Sequence, residues 1–241
     1  MSRFKMTFSY DGSNFLGSQR QDKGRTVEGE INKALSTLHK KETIIITSGR
    51  TDKGVHALNQ VAHFDSFLNI EEKKFVEVIN SLLPLDIRIK EINKANEDFH
   101  ARHQAVKKEY FYVITREYNL FKRNYKAFIK GELNVKIMSE AIKEFIGKHD
   151  FFAFATYVKD KPTIKEIYEA DLTVKDNDII LRFVGDSFLR HMIRRMVGTL
   201  ILIGKGKKEI GVIKEILTTK DKSLCGKTAE PNGLYLNKVY Y

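Results

Sequence analysis

The sequence Gly49-Arg50-Thr51-Asp52-Lys53-Gly54-Val55-His56-Ala57 follows the β-branched run Thr43-Ile44-Ile45-Ile46-Thr47, with only Ser48 between them. Isoleucine and threonine favour a β-strand, and the glycines on either side of the acid predict a tight turn where the strand ends. One carboxylate, Asp52, is therefore displayed beside an arginine on a loop that a strand supports. Such a placement favours chemistry over packing. The alternative is a turn former that bonds its own backbone, which an aspartate before Lys-Gly commonly is.

The length and composition of the chain are those of an ordinary globular protein. A chain of 241 residues can form one large domain or two small ones, and its 42% hydrophobic and 30% charged residues are typical of a globular protein. No apolar run approaches the roughly 20 residues that span a bilayer, and the N-terminus begins as a strand instead of a signal peptide. The single cysteine, Cys225, excludes an internal disulfide framework. These features predict a cytoplasmic protein with no membrane partner.

The net charge of +11 is concentrated in two stretches. Residues 101–130 contain eight Lys or Arg and two acids, and residues 186–208 contain six and one. The first stretch also contains aromatic side chains, from Tyr110 to Phe128. Clustered cations attract phosphates, and aromatic faces stack on unpaired bases, so the pattern indicates RNA binding. A solvated basic surface with aromatics that face the core is the alternative.

Hydrophobic periodicity predicts a mixed α+β fold with largely antiparallel sheets, because strands and helices alternate without a regular βαβ order. We expect two domains, residues 1–104 and 105–241, each a mostly antiparallel sheet flanked by helices. Strands are expected near residues 3–10, 43–47, 60–65, 86–92, 107–115, 164–174, 178–184 and 234–240. Helices are expected after a Thr26 cap, from about Glu71 and from about Ser187. Two further helices are expected to contain Met138–Phe145 and Ile210–Leu217.

Motifs that would indicate another kind of catalytic site than Asp52 are weak or absent. His100 and His103 are three residues apart, but no cysteine or carboxylate pair with ligand spacing accompanies them, so we expect no metal. Gly226-Lys227-Thr228 resembles the end of a phosphate-binding loop, yet Asp221 stands where that motif requires glycine. No G-x-S-x-G sequence occurs either. Asp52 is the remaining candidate.

Motifs along the whole chain resemble the TruA-type tRNA pseudouridine synthases, and they occur in that family's order. The matching residues are Tyr10–Gly17, Gln19, Gln21, Arg25–Glu28, Gly49–Ala57, Asn80, Leu83, Pro84, Phe99–Arg102, Lys108, Tyr110, His149–Phe151, Phe188–Arg194 and Gly233–Leu236. The chain departs from the pattern in three places. Ser18 stands where many members carry tryptophan, Lys165 stands where arginine is common, and Glu230-Pro231 shifts a proline that is common near the C-terminus.

The resemblance implies a role for each catalytic residue. Asp52 would be the nucleophile, Arg194 would form an ion pair with it, and Tyr110 would stack on the uracil and could act as a base. Contacts to RNA are implied for Arg50, His56, Arg25, Arg102, Lys108, Arg190 and Arg195. The residues alone leave alternatives open: a phosphate contact for Arg194, a core position for Tyr110 and local packing for His56.

The implied activity is isomerisation of uridine to pseudouridine at positions 38, 39 and 40 of the tRNA anticodon stem-loop. The resemblance also implies the pseudouridine synthase fold, an active-site cleft between the domains and a homodimer. Isomerisation needs neither redox chemistry nor hydrolysis, so no cofactor is expected. Three alternatives remain: a related enzyme for another structured RNA, a non-catalytic RNA-binding or chaperone protein, and, less favoured, a metal-dependent hydrolase.

Overall fold

The computed structural model describes residues 1–156 and 162–241, and the chain forms two compact units. The first unit comprises Met1–Val106 together with Tyr235–Tyr241, and the second comprises Lys107–Leu234. The first division lies two residues from the position expected from the sequence. The last seven residues, in contrast, pack with the first unit, because their strand pairs with a strand of that unit.

The first unit is a largely antiparallel sheet with helices, as the sequence predicts. Its elements are β1 (Ser2–Tyr10), α1 (Val27–His39), β2 (Ile46–Thr47), β3 (His56–Ser66), α2 (Glu72–Leu82), β4 (Ile87–Lys94) and the terminal strand β10 (Leu234–Tyr240). The strands lie in the order β4-β1-β3-β10, and the short β2 pairs with β3. Antiparallel pairing joins β1 to both neighbours, whereas β10 runs parallel to β3.

The core of this unit lies on one face of its sheet. Phe4, Met6 and Phe8 of β1 are buried, as expected because every second side chain of a strand points to the same face of the sheet. The Phe4 ring stacks on Phe64 with centroids 5.7 Å apart, and Phe75 of α2 meets both rings edge-on. Aromatic edge contacts of this kind add to the hydrophobic gain from burial.

The second unit has the same architecture. Its elements are β5 (Lys107–Thr115), β6 (Ala127–Phe128), α3 (Val135–Ala141), β7 (Gly147–Asp150), β8 (Ile164–Lys175), β9 (Asp178–Gly185), α4 (Met192–Gly204) and α5 (Val212–Thr219). The strands lie in the order β5-β9-β8-β7, all antiparallel, with β6 parallel to β5. A turn joins β8 to β9 at Asp176-Asn177, where Asp176 takes a left-handed φ of 55°.

The core of the second unit includes Tyr112, Phe145 and Phe183, all buried. Helix α4 lies so close to the following segment that a Cβ on Gly198 would fall 1.9 Å from the carbonyl oxygen of Lys227. The Gly226-Lys227-Thr228 stretch thus packs on a helix. Among the helices described, none is both long and apolar enough to cross a membrane.

Several elements differ from the sequence expectation, and the short strands β6 and β7 are additional to it. The strand expected at residues 43–47 is regular only at Ile46–Thr47, because the Ile45 N–H donates to the Asn32 side chain instead of a strand. Strand β3 begins at His56, so the end of the quoted loop is already part of the sheet. Helix α4 begins at Met192 and not near residue 187, because His191 has a left-handed φ of 65° that interrupts a helix.

His63 in β3 is a neutral buried histidine. It is 3% exposed, and its Nδ1 accepts a hydrogen bond from the Ala101 N–H at 3.1 Å. Burial, followed by the positive charges of Arg3 and His100, lowers the pKa of His63 from 6.5 to about 4, although Asp65 opposes the shift. Protonation of His63 is therefore less favourable in the folded state than in the unfolded state.

This depressed pKa predicts acid sensitivity. Because the unfolded chain binds the proton first, the free energy of unfolding should decrease as pH falls from 6.5 towards 4. The His63 contribution is at most about 3 kcal/mol, and His63→Gln should flatten this part of a urea-unfolding profile. The control Phe121→Gln, at a side chain that is 86% exposed and does not titrate, should leave the slope unchanged. Equal slopes for His63→Gln and the wild type would contradict the assignment.

Phe75 tests the core of the first unit. The Phe75 ring is 0% exposed, so Phe75→Ala should lower the free energy of unfolding by about 3–5 kcal/mol, since it leaves a cavity. Phe121→Ala removes the same ring where it is 86% exposed, and we expect a change within about 0.5 kcal/mol. Urea unfolding of both variants measures the difference, and similar losses would contradict this view of the core.

Candidate active site

Asp52 lies at the first position of a tight turn. Its carbonyl oxygen accepts a hydrogen bond from the Val55 N–H at 3.2 Å, and Gly54 has a left-handed φ of 78°. That φ suits glycine because a Cβ would be strained there. Asp52 is half-buried, while Arg50 and Lys53 beside it are exposed. The hydrogen bond that closes the turn therefore fixes the backbone that carries the Asp52 carboxylate.

The start of the loop is held by a buried amide. Gln60 in β3 is 0% exposed, and its Nε2 donates to the Gly49 carbonyl oxygen at 2.9 Å. Its Oε1 accepts from the Ser48 hydroxyl at 2.8 Å and from the Val61 N–H at 3.1 Å. Since these groups have little access to water, breaking this network would leave buried polar atoms unpaired.

A buried phenol holds the residue before Asp52. The Tyr10 hydroxyl lies 2.7 Å from the Thr51 hydroxyl, and Tyr10 is 5% exposed. Burial raises the pKa of Tyr10 to about 12, although hydrogen bonds from Thr51, Gln60 and Ser18 oppose the shift. The phenol is therefore neutral near pH 7 and can serve as donor or acceptor in this network.

His56 holds the end of the loop. It is 2% exposed, its Nδ1 accepts from the Gly12 N–H at 3.0 Å, and its ring stacks on Tyr235 with centroids 4.7 Å apart. Asp11 Oδ1 lies 3.2 Å from the same nitrogen and accepts from Ser13. These contacts favour the packing role, and an RNA contact by His56 stays a prediction.

Tyr110 and Arg194 lie in the second unit. Tyr110 on β5 is 7% exposed, and its ring meets Phe188 edge-on with centroids 5.2 Å apart. Arg194 lies in the first turn of α4, half-buried, and its Nε donates to the Ala229 carbonyl oxygen at 2.7 Å. That bond fixes one edge of the guanidinium, which limits the directions in which its remaining N–H groups can point.

Two arginines expected to contact RNA are engaged within their own units. Arg25 donates from both Nη atoms to Asp86, at 2.6 and 2.8 Å, and from Nε to Glu30 at 2.8 Å. These carboxylates raise the pKa of Arg25. Arg195 donates to the Ala155 carbonyl oxygen at 2.8 Å. Both side chains therefore stabilise their own units, and their roles in RNA binding stay predictions.

The other basic residues of the expected RNA surface are more accessible. Arg50, Arg102 and Arg190 are exposed, and Lys108 on β5 is half-buried. Exposed guanidinium groups can neutralise phosphates, which is the interaction that dominates affinity for nucleic acid.

The two histidines considered as metal ligands lie side by side. The His100 and His103 rings lie 4.2 Å apart, but His100 Nδ1 already accepts from the backbone N–H groups of Arg102 and His103. Within residues 1–156 and 162–241, no group of three or more His, Cys, Asp or Glu side chains is placed to hold a metal ion.

The sequence matches a known protein family. The family model described as tRNA pseudouridine synthase matches residues 6–104 and 141–241. The chain belongs to the tRNA pseudouridine synthase family. The matched ranges include Asp52 and Arg194, whereas Tyr110 lies between them.

Relatives named tRNA pseudouridine synthase A match over the whole chain. One from Exiguobacterium sp. is 41% identical, covering 100% of this chain and 98% of that protein. One from Bacillus cereus, named tRNA pseudouridine synthase A 1, is 44% identical over 100% and 99%. One from Bacillus subtilis is 45% identical over 99% of each.

Sequence reasoning did not assign roles to the residues that hold the Asp52 loop. In the sequence, Tyr10 and Gly12 belong to a motif without an individual role, and Gln60 has no motif around it. The sequence does indicate such a role for Gln60, because Gln60 and His63 are polar residues in a strand that has the apolar pattern of a buried one. Pattern alone could not show which backbone groups these side chains bind.

Gly12 provides a test of the loop. A Cβ at this position would lie 2.0 Å from the Val55 carbonyl oxygen, so Gly12→Ala must push the Asp52 loop away from its neighbour. We expect a loss of about 2–4 kcal/mol in the free energy of unfolding and a large decrease in pseudouridine formation.

Gly211→Ala is the matched control. A Cβ on Gly211 would meet nothing within 4 Å, so this variant should keep its stability and activity. Urea unfolding and a tRNA modification assay measure both effects. An unchanged Gly12→Ala protein would show that the two loops are not in close contact.

Proposed function

We propose that this protein isomerises uridine to pseudouridine in tRNA and that Asp52 is the catalytic nucleophile. The observation that carries the proposal is the Asp52 turn, held by buried Tyr10 and Gln60, within a chain of the tRNA pseudouridine synthase family. A half-buried carboxylate on a preorganised backbone suits nucleophilic or electrostatic catalysis.

The isomerisation of uridine to pseudouridine needs few catalytic groups. The N1–C1′ bond of the uridine breaks, the uracil turns, and a new bond joins C5 to C1′. C5 then loses a proton and N1 gains one, so atoms and charge balance without a co-reactant. Asp52 either attacks the sugar or base, or stabilises the charged intermediate, and both routes require the ionised carboxylate.

Arg194 and Tyr110 complete the proposed machinery. A guanidinium cannot lose its proton near neutral pH, so pairing with Arg194 would keep Asp52 ionised and oriented after water is excluded. The phenol of Tyr110 would stack on the extruded uracil and could accept the C5 proton. The Nε bond from Arg194 to Ala229 and the edge contact of Tyr110 with Phe188 support fixed orientations for both side chains.

The resemblance further supports uridines 38, 39 and 40 of the anticodon stem-loop as targets, a homodimer and a cytoplasmic location. Recognition would depend on shape and phosphate, since an A-form helix hides base edges in its narrow major groove. Mapping pseudouridine across RNA from cells that lack the protein tests the target. Light scattering tests the dimer.

The central prediction concerns Asp52. Purified wild-type protein should form pseudouridine in tRNA in the presence of a chelator, whereas Asp52→Asn should form none above background, because it removes the anionic oxygen. RNA affinity should be similar for both proteins, since Asp52 is not a phosphate-binding group. Tritium release from C5-labelled tRNA and filter binding measure the two quantities.

Asp176→Asn is the control for charge removal. Asp176 is exposed at the β8–β9 turn, and asparagine tolerates its left-handed backbone, so activity should be retained. If the two groups act together, Arg194→Gln alone should also lower turnover steeply, although the Asp52 carboxylate is still present. Equal turnover by the wild type and Asp52→Asn would refute the catalytic assignment, and RNA binding without turnover would favour the non-catalytic alternative.

A further inference from the structure

Ser18 makes two hydrogen bonds with the residue that precedes Asp52. The Ser18 hydroxyl oxygen accepts from the Thr51 N–H at 2.8 Å, and the Ser18 N–H donates to the Thr51 carbonyl oxygen at 3.1 Å. Ser18 is 2% exposed and follows Gly17, whose φ is 119°. The side chain is therefore enclosed against the backbone of the Asp52 loop.

These two bonds fix the peptide groups on both sides of the Thr51 Cα. The Thr51 N–H belongs to the peptide that joins Arg50 to Thr51, and the Thr51 carbonyl to the peptide that joins Thr51 to Asp52. With both planes held, neither backbone dihedral of Thr51 can change without breaking a hydrogen bond. The direction of the Asp52 side chain depends on the second of these planes.

The remaining contacts of the loop cannot replace the Ser18 hydroxyl. Tyr10 binds the side chain of Thr51, Gln60 binds the carbonyl of Gly49, and the Val55 N–H binds the carbonyl of Asp52. None of these contacts reaches the Thr51 N–H. Without the Ser18 oxygen, the Thr51 N–H would lose this partner in a buried position, and a rotation of its peptide would become favourable.

We propose that Ser18 is a positioning residue that sets the orientation of the Asp52 carboxylate through its hydrogen bond with the Thr51 N–H. The inference rests on the proposed function of Asp52. Ser18 touches neither RNA nor the reacting atoms in this role, so it should affect the chemical step and not substrate binding. Misplacement of a reacting group lowers the rate steeply even when binding is unchanged.

The test compares Ser18→Ala with Ser18→Thr. The alanine lacks the oxygen, and we expect kcat for pseudouridine formation in tRNA to fall about 10- to 100-fold while KM changes less than about twofold. The threonine keeps the hydroxyl, so it should restore kcat to within about threefold of the wild type. The Thr51 amide should exchange faster with solvent in the alanine variant alone.

Ser66→Ala is the matched control for stability. Ser66 is 1% exposed, and its hydroxyl oxygen also accepts a backbone N–H, that of Leu68 at 3.1 Å. It lies at the far end of β3 from His56, about 30 Å away for ten residues of strand. Ser66→Ala should therefore lose stability as Ser18→Ala does, yet keep its kcat and its Thr51 exchange rate.

The outcomes separate this inference from the proposed function. A wild-type protein without pseudouridine synthase activity would overturn the proposed function, whereas the exchange rate at Thr51 would still report on the hydrogen bond. An active wild type with an unchanged kcat in Ser18→Ala would overturn the role of Ser18 alone. If Ser18→Ala does not fold, Ser18→Cys supplies a weaker acceptor, and a wild-type kcat in that variant would also overturn the proposal.

Discussion

The contact of Gly12 with the Val55 carbonyl is the constraint on which the rest of the candidate site depends. A Cβ at Gly12 would lie 2.0 Å from that oxygen, so at this point the two loops lie backbone against backbone. At this separation, the Gly12 N–H reaches His56 and the Ser18 peptide reaches Thr51. A bulkier residue would separate the loops and break several buried hydrogen bonds together.

The loop that carries Asp52 is held mainly by neutral polar groups. Hydroxyls of Tyr10 and Ser18 and the amide of Gln60 bind its backbone and side chains, and all three residues are buried. Neutral partners keep their protonation state across the working pH range, which the raised pKa of Tyr10 illustrates. They therefore fix the geometry without adding charges that would change the electrostatics at the Asp52 carboxylate.

Basic residues that look alike in the sequence have different roles in the structure. Arg25 is surrounded by carboxylates and Arg195 binds backbone carbonyls, whereas Arg50, Arg102 and Arg190 are exposed. An arginine that already donates to protein oxygens has fewer N–H groups for phosphate.

The sequence by itself determined the α+β class, most strands and helices, the family and the candidate Asp52, because periodicity, glycines and ordered motifs are local properties of the chain. The tertiary structure alone decided that the last strand packs with the first unit and that His191 delays α4. It also paired Tyr10 and Ser18 with Thr51, residues more than 30 positions apart. Such pairings depend on how strands and loops approach in space, since a side chain's hydrogen-bond partner is not encoded in its own neighbourhood.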